Sequence, residues 1–128
     1  MQIKHVLIKV DDQDKALAFY TDVLGFAKKL DVSMGGGDRW LTVVAANEAD
    51  GTELVLEANR LDPSRRAQEI LYEAKFPATV LTTADIDADF RRLTDLGVKF
   101  LGEPRRMGPI VTAFFDDTCG NIINLTQA

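Results

Sequence analysis

Residues 3–10, Ile-Lys-His-Val-Leu-Ile-Lys-Val, alternate in a way that predicts a strand, with His5, Leu7 and Lys9 on one face and Val6, Ile8 and Val10 on the other. The period then changes. Asp11 and Asp12 offer helix-capping side chains, and Ala16, Leu17, Phe19, Tyr20, Val23 and Leu24 recur at helical spacing until Gly25 stops the helix. Residues 39–45 and 52–57 return to strand character, separated by the turn-rich stretch 47–51. Between helix and strands, Ser33-Met34-Gly35-Gly36-Gly37-Asp38 is expected to form a mobile hairpin loop. Asp62-Pro63 opens a second helix, about residues 64–74, expected to bury Ala67, Ile70 and Leu71 and to connect two halves.

The first pattern then recurs. Residues 78–83 form a predicted strand, Asp85 caps, and Ile86, Phe90, Leu93 and Leu96 make a helical stripe that ends at Gly97. Strands are expected near 98–102, 110–116 and 121–126. An offset of 73 residues superposes His5 on Ala78, Asp12 on Asp85, Asp14 on Asp87 and Thr21-Asp22 on Thr94-Asp95. Gly25 meets Gly97 after one deletion. Two copies of β-α-β-β-β account for this most simply. The expected organisation is one domain over 1–128, with module 1 at about 1–60, a connecting helix at about 62–75 and module 2 at about 76–128.

Composition narrows the chemistry. With 15 Lys+Arg against 20 Asp+Glu, the chain of 128 residues carries a net charge of −5, which argues against nucleic acid or an anionic membrane as partner. No apolar run approaches the roughly 20 residues needed to cross a bilayer. A charged segment followed by an apolar one is missing from the first residues, so no signal peptide is expected. The single cysteine, Cys119, makes no internal disulfide, which suits a reducing cytoplasm. The single histidine, His5, excludes a three-histidine or Cys2His2 zinc site built within one chain. Neither serine, Ser33 or Ser64, sits in a Gly-x-Ser-x-Gly elbow.

Other features carry weaker signals. Gly35-Gly36-Gly37 matches neither phosphate-binding glycine pattern and is expected to be a flexible segment at a cavity rim. Arg105-Arg106, between Pro104 and Pro109, is expected in a loop, where it either receives an anionic group or is solvated surface charge. Trp40, more than Tyr72, is a candidate pocket aromatic. Phe114 and Phe115 must face opposite sides of a strand, one into the core and the other available to a cavity. Cys119, beside Asp116 and Asp117, is read as a turn residue and not as a nucleophile.

Taken in order, Ile3-Lys4-His5-Val6, Phe19 to Phe26, Thr52 to Glu57, Asp85 to Val98 and Asp116 to Asn121 resemble the successive motifs of the vicinal oxygen chelate superfamily. That superfamily groups glyoxalase I, bleomycin-resistance proteins and extradiol dioxygenases. The resemblance implies an α+β fold of two βαβββ modules curling mixed sheets around a concavity with helices outside, and a homodimer. In metal-using members it implies four ligands on four strands. His5 matches the first, and Glu53 matches the second, with Glu57 on the same face as fallback. The third falls on Ala78 and the fourth on Asn124, so only His5 and Glu53 remain as ligands for a divalent metal. The leading expectation is therefore a metal-independent protein that binds a small organic molecule. Its cavity would be mainly apolar, lined by Leu7, Trp40, Val55, Ala78 and Val80, with His5, Glu53, Glu57 and Asn124 supplying polar contacts. The alternative is a glyoxalase-like lyase or isomerase, or another metal-dependent enzyme of the superfamily acting on a small oxygenated substrate. In that case His5 and Glu53 would bind the metal or, without one, serve as general-base candidates.

Overall fold

A computed structural model describes all residues 1–128. The chain divides into two compact units, Met1–Arg65 and Arg66–Ala128. In the first, β1 (His5–Val10) leads into α1 (Gln13–Ala18), which continues as a π-helical turn over Phe19–Val23. Three strands follow: β2 (Ala27–Gly35), β3 (Asp38–Val44) and β4 (Glu53–Ala58). They form one sheet in the order β1-β4-β3-β2, in which β1 and β4 run parallel and the other neighbours antiparallel. The second unit repeats the plan with β5 (Pro77–Thr82), α3 (Ile86–Asp95), β6 (Arg105–Met107), β7 (Ile110–Asp116) and β8 (Ile122–Gln127), in the order β5-β8-β7-β6. Between these elements α2 (Asp62–Glu73) crosses the boundary of the two units. The fold is α+β, two βαβββ modules, as the periodicity and the repeat predict.

The repeat extends to individual bonds. Asp12 caps α1 by accepting from the Lys15 amide at 3.0 Å, and Asp85 caps α3 by accepting from the Ala88 amide at the same distance. Both caps sit on extended backbone, which frees the carboxylate to turn back onto the first helical turn. Gly25 and Gly97 leave their helices at φ +89° and +92°, a conformation that costs a side-chain-bearing residue strain.

Each sheet buries one face under its helix. In the first unit Ile8, Val10, Leu41, Val43 and Leu56 meet Ala16, Phe19 and Tyr20. Gln13 is the polar pin of this layer: its amide nitrogen donates to the carbonyls of Arg39 and Leu56, both at 2.8 Å, and its oxygen accepts from the Arg39 amide. In the second unit Ile86 and Leu93 face Ala113, Phe115, Ile123 and Leu125, and the rings of Phe90, Phe100 and Phe115 follow one another at 4.7 and 5.4 Å.

Four expectations are corrected. The segment Ser33–Asp38 is not a loop: β2 runs through Gly35, and only Gly36 and Gly37 form the connection, at φ +61° and +86°. Two residues of positive φ between antiparallel strands make a tight hairpin turn whose twist matches the strands, so the hairpin is as expected but its connection is two residues long. The connecting helix buries none of its residues, and Ala67, Ile70 and Leu71 are all exposed. A helical stripe reveals the helix but not whether anything covers it. The strand expected at 98–102 reduces to a single bridge between Phe100 and Phe115. Arg105 and Arg106 lie in β6, paired with Thr112 and Val111, so the prolines bound a strand where a loop was expected.

The Asp116–Asn121 turn has the expected compactness. Buried Asp117 accepts from the amides of Cys119 and Asn121 and from the Asn121 side chain, and Cys119 is buried inside it. Gln68 and Tyr72 of α2 bond to Asn121 and Asp116 at either end of this turn.

Candidate functional site

Strand alternation puts His5, Leu7 and Lys9 on the face of β1 away from α1, and the parallel register sets them opposite Glu53, Val55 and Glu57 of β4. Thr42 of β3 is opposite Val55, with Trp40 two residues along on the same face, and β2 adds Leu30 opposite Thr42 and Val32 opposite Trp40. The first sheet therefore gathers six predicted site residues, His5, Leu7, Trp40, Glu53, Val55 and Glu57, on one open face. Much of it is exposed apolar surface: Leu7 is 52%, Val32 50% and Met34 64% accessible. A cleft of about 320 Å3 lies along it, with Trp40, Val55, Met34 and Leu61 among its walls and Lys9, Glu57 and Arg60 at its edge.

The polar groups of this face are largely satisfied by one another. Glu53 is buried, and its Oε1 accepts from the Thr42 hydroxyl at 2.7 Å. Its Oε2 is 3.4 Å from His5 Nε2 and 3.8 Å from Lys4 Nζ. The His5 ring stands edge-on to Trp40 with centroids 5.6 Å apart, so the indole fixes the imidazole's orientation. Lys9 and Glu57 pair at 2.8 Å. Thr42 is the residue that sequence reasoning did not single out; its signal, a polar residue between Leu41 and Val43 on Trp40's face, becomes legible once Glu53 is known to lie beside it.

The second sheet holds the remaining predicted residues. Val80 and Asn124 are register partners, and Phe114 of β7 lies opposite Asn124 on its other side. The Thr112 hydroxyl donates to the Asn124 side-chain oxygen. Ala78 sits at a break in register, between Pro77, which pairs with Ile122, and Thr79, which pairs with Ile123. The Thr112–Asn124 bond repeats the Thr42–Glu53 bond of the first sheet, so Asn124 stands in the second module where Glu53 stands in the first, and Ala78 stands where the sequence repeat places the counterpart of His5.

These donors do not make up a metal site. In neither unit do three His, Cys, Asp or Glu side chains converge. Glu53 is engaged by a hydroxyl, the Asn124 oxygen already accepts a hydrogen bond, and Ala78 offers no lone pair. A divalent ion needs anionic or imidazole ligands to offset its desolvation, and one of each falls short of that.

The architecture has counterparts among known proteins. A model of the Glyoxalase/Bleomycin resistance protein/Dioxygenase superfamily matches residues 2–125. The chain belongs to this superfamily. A relative within it, protein YurT of Bacillus subtilis (strain 168), is 46% identical over 127 residues, 99% of each chain. Among solved structures, UcmS2 superposes with a TM-score of 0.84 at 32% identity, covering 98% of this chain and 97% of that one. TnmS3, described as an antibiotic binding protein from Streptomyces sp. CB03234, superposes with a TM-score of 0.77 at 32% identity, covering 99% and 95%. Superfamily membership carries the fold; the residues on the open sheet faces decide the chemistry.

Proposed function

We propose that this superfamily member binds a small, mainly apolar organic molecule on the open face of its first sheet, without a catalytic metal. The observation that carries the reading is the state of Glu53: a buried carboxylate already held by Thr42, with His5 alongside and apolar residues around it. Such a face has the usual character of a ligand site, apolar surface with a few fixed polar groups. Leu7, Trp40 and Val55 supply the surface, and His5, Glu53 and Glu57 the direction. The Ala78–Val80–Asn124 face of the second sheet is of the same kind. The description of TnmS3 as an antibiotic binding protein, at 32% identity, supports a binding role.

The same reading includes a cytoplasmic homodimer as the working form. In its support, the apolar side of α2 stays uncovered, with Ile70 68% and Leu71 47% accessible. No helix is long and apolar enough to cross a membrane.

The test of metal independence is a comparison of melting temperature in chelator with that in millimolar Mg2+, Mn2+, Ni2+ or Zn2+, alongside elemental analysis. Because a ligand bound only by the folded state stabilises it in proportion to RT ln(1 + [L]/Kd), a tight site would raise the melting temperature by several degrees. The expected result is no shift and no stoichiometric ion. A stoichiometric ion that disappears in His5→Ala would replace this reading with a metal-dependent enzyme.

A further inference from the structure

The second unit contains a cleft of about 490 Å3 beside the Asn124 face, where Phe114 is Asn124's register partner and Thr112 its hydrogen-bond donor, and its cationic rim goes beyond the reading above. It lies where the chain from Leu101 to Arg105 runs beside β7, and Lys75, just past the end of α2, closes one side. Its volume falls within the ordinary range for small-molecule sites. The lining is chemically uneven: Thr112, Leu101 and Phe114 form a floor with apolar and aromatic surface, and Arg105 and Lys75 bring two cations to the rim. Glu103 is the one carboxylate in the lining, leaving a net positive charge.

A positive cleft is out of keeping with a chain of net charge −5. Of the eight arginines, Arg39, Arg60, Arg65 and Arg92 are each paired with an aspartate, and Arg105 is the unpaired one that lines a cleft. Arg105 makes no ion pair, although acidic residues outnumber basic ones. Lys75 has no carboxylate either; its ammonium stands 5.0 Å from the Tyr72 ring centroid. That contact holds the cation at the cleft while leaving its donors available. Arg105 is anchored on β6 opposite Thr112, so its guanidinium projects from a strand and not from a free loop.

We infer that this cleft is a binding site for a planar aromatic carboxylate, the anion received by Arg105 and Lys75 and the ring laid against Phe114 and Leu101. A guanidinium suits a carboxylate because its fork matches the two oxygens, and Lys75 adds a point charge at the side. The site belongs to the second unit alone and stands independently of the proposed role of the Trp40 face.

The test is a titration of the 15N-labelled protein with 1-naphthoate, followed through the amide signals of residues 101–105 and 112–114, and repeated with neutral 1-naphthamide. The expected result is saturable shifts at those signals with naphthoate, at least tenfold weaker with the amide. In R105Q and K75Q the affinity read from the same signals falls about tenfold, the loss of one charge-assisted hydrogen bond. Both changes are at exposed positions, and an unchanged spectrum elsewhere confirms an intact fold. No shifts at these residues, or shifts equally strong with the amide or in both variants, would overturn the inference. The Trp40 indole signal reports the first sheet in the same spectra, so failure of one site is told apart from failure of the other.

Discussion

At the scale of single residues, the pair Glu53 and Thr42 decides how the open face is to be read. A buried carboxylate with a hydroxyl donor at 2.7 Å is a structural group as well as a polar landmark. Removing Glu53 leaves a buried hydroxyl without its acceptor, so Glu53→Ala is expected to cost about 2 kcal/mol of unfolding free energy in urea denaturation. The double cycle with Thr42→Val should show coupling of about 1 kcal/mol, and additivity would mean that the two side chains do not support each other. Tyr72 makes the second informative contact. Its hydroxyl donates to Asp116, and that hydrogen bond first, burial second and the negative charge of Asp116 third push its pKa from 10.0 up to about 12. A raised pKa in the folded state means stability that is complete below pH 10 and lost as pH rises through 12. The stability advantage of the native protein over Tyr72→Phe should accordingly be constant at neutral pH and vanish in strong alkali. An advantage that grew with pH would contradict the contact. Strand alternation made His5 legible with Leu7 and Lys9 on one face, the resemblance to the superfamily's motif implied Glu53, and the parallel register sets the two opposite each other. Thr42 was not legible, because one threonine in an apolar strand carries no periodic signal and its role exists only through a neighbour eleven residues away.

At the scale of elements, the repeat was legible because helix starts and stops are local chemistry. Asp12 and Asp85 accept from amides three residues on, and Gly25 and Gly97 supply the same positive φ. Asp12→Ala and Asp85→Ala are each expected to cost about 1 kcal/mol, with closely similar values in the two modules. A large inequality in thermal or chemical denaturation would show that the caps do not play equivalent parts. Strand β2 was obscured by its composition: Ser33 through Gly37 contains three glycines, yet Leu30, Val32 and Met34 keep the alternation that sets them on the Trp40 face. The covering of α2 was not legible at all. Its apolar stripe follows the helical period, but the chain itself buries none of it.

At the scale of the molecule, that uncovered stripe calls for a partner, and the proposed one is a second copy of the chain. Sedimentation equilibrium should give a dimer, and Ile70→Asp, at an exposed position of the chain, should shift the protein to monomer without unfolding it. A native monomer would remove the homodimer from the account. The histidine count bears on function at this scale too. One imidazole and one buried carboxylate face each other on the first sheet, while the second sheet has Ala78 and the neutral amide Asn124 in the corresponding positions of the repeat. The proposed metal-free reading rests on these positions and on the apolar surface of the open face. The most direct measurement follows from Trp40, the only tryptophan in the sequence. Its fluorescence should be quenched saturably by the neutral probe N-phenyl-1-naphthylamine in the presence of EDTA, with affinity about tenfold lower in Leu7→Asp, which removes apolar contact surface from the same face. Quenching that appears only when a divalent ion is added, or no saturable quenching at all, would contradict metal-free binding at this sheet.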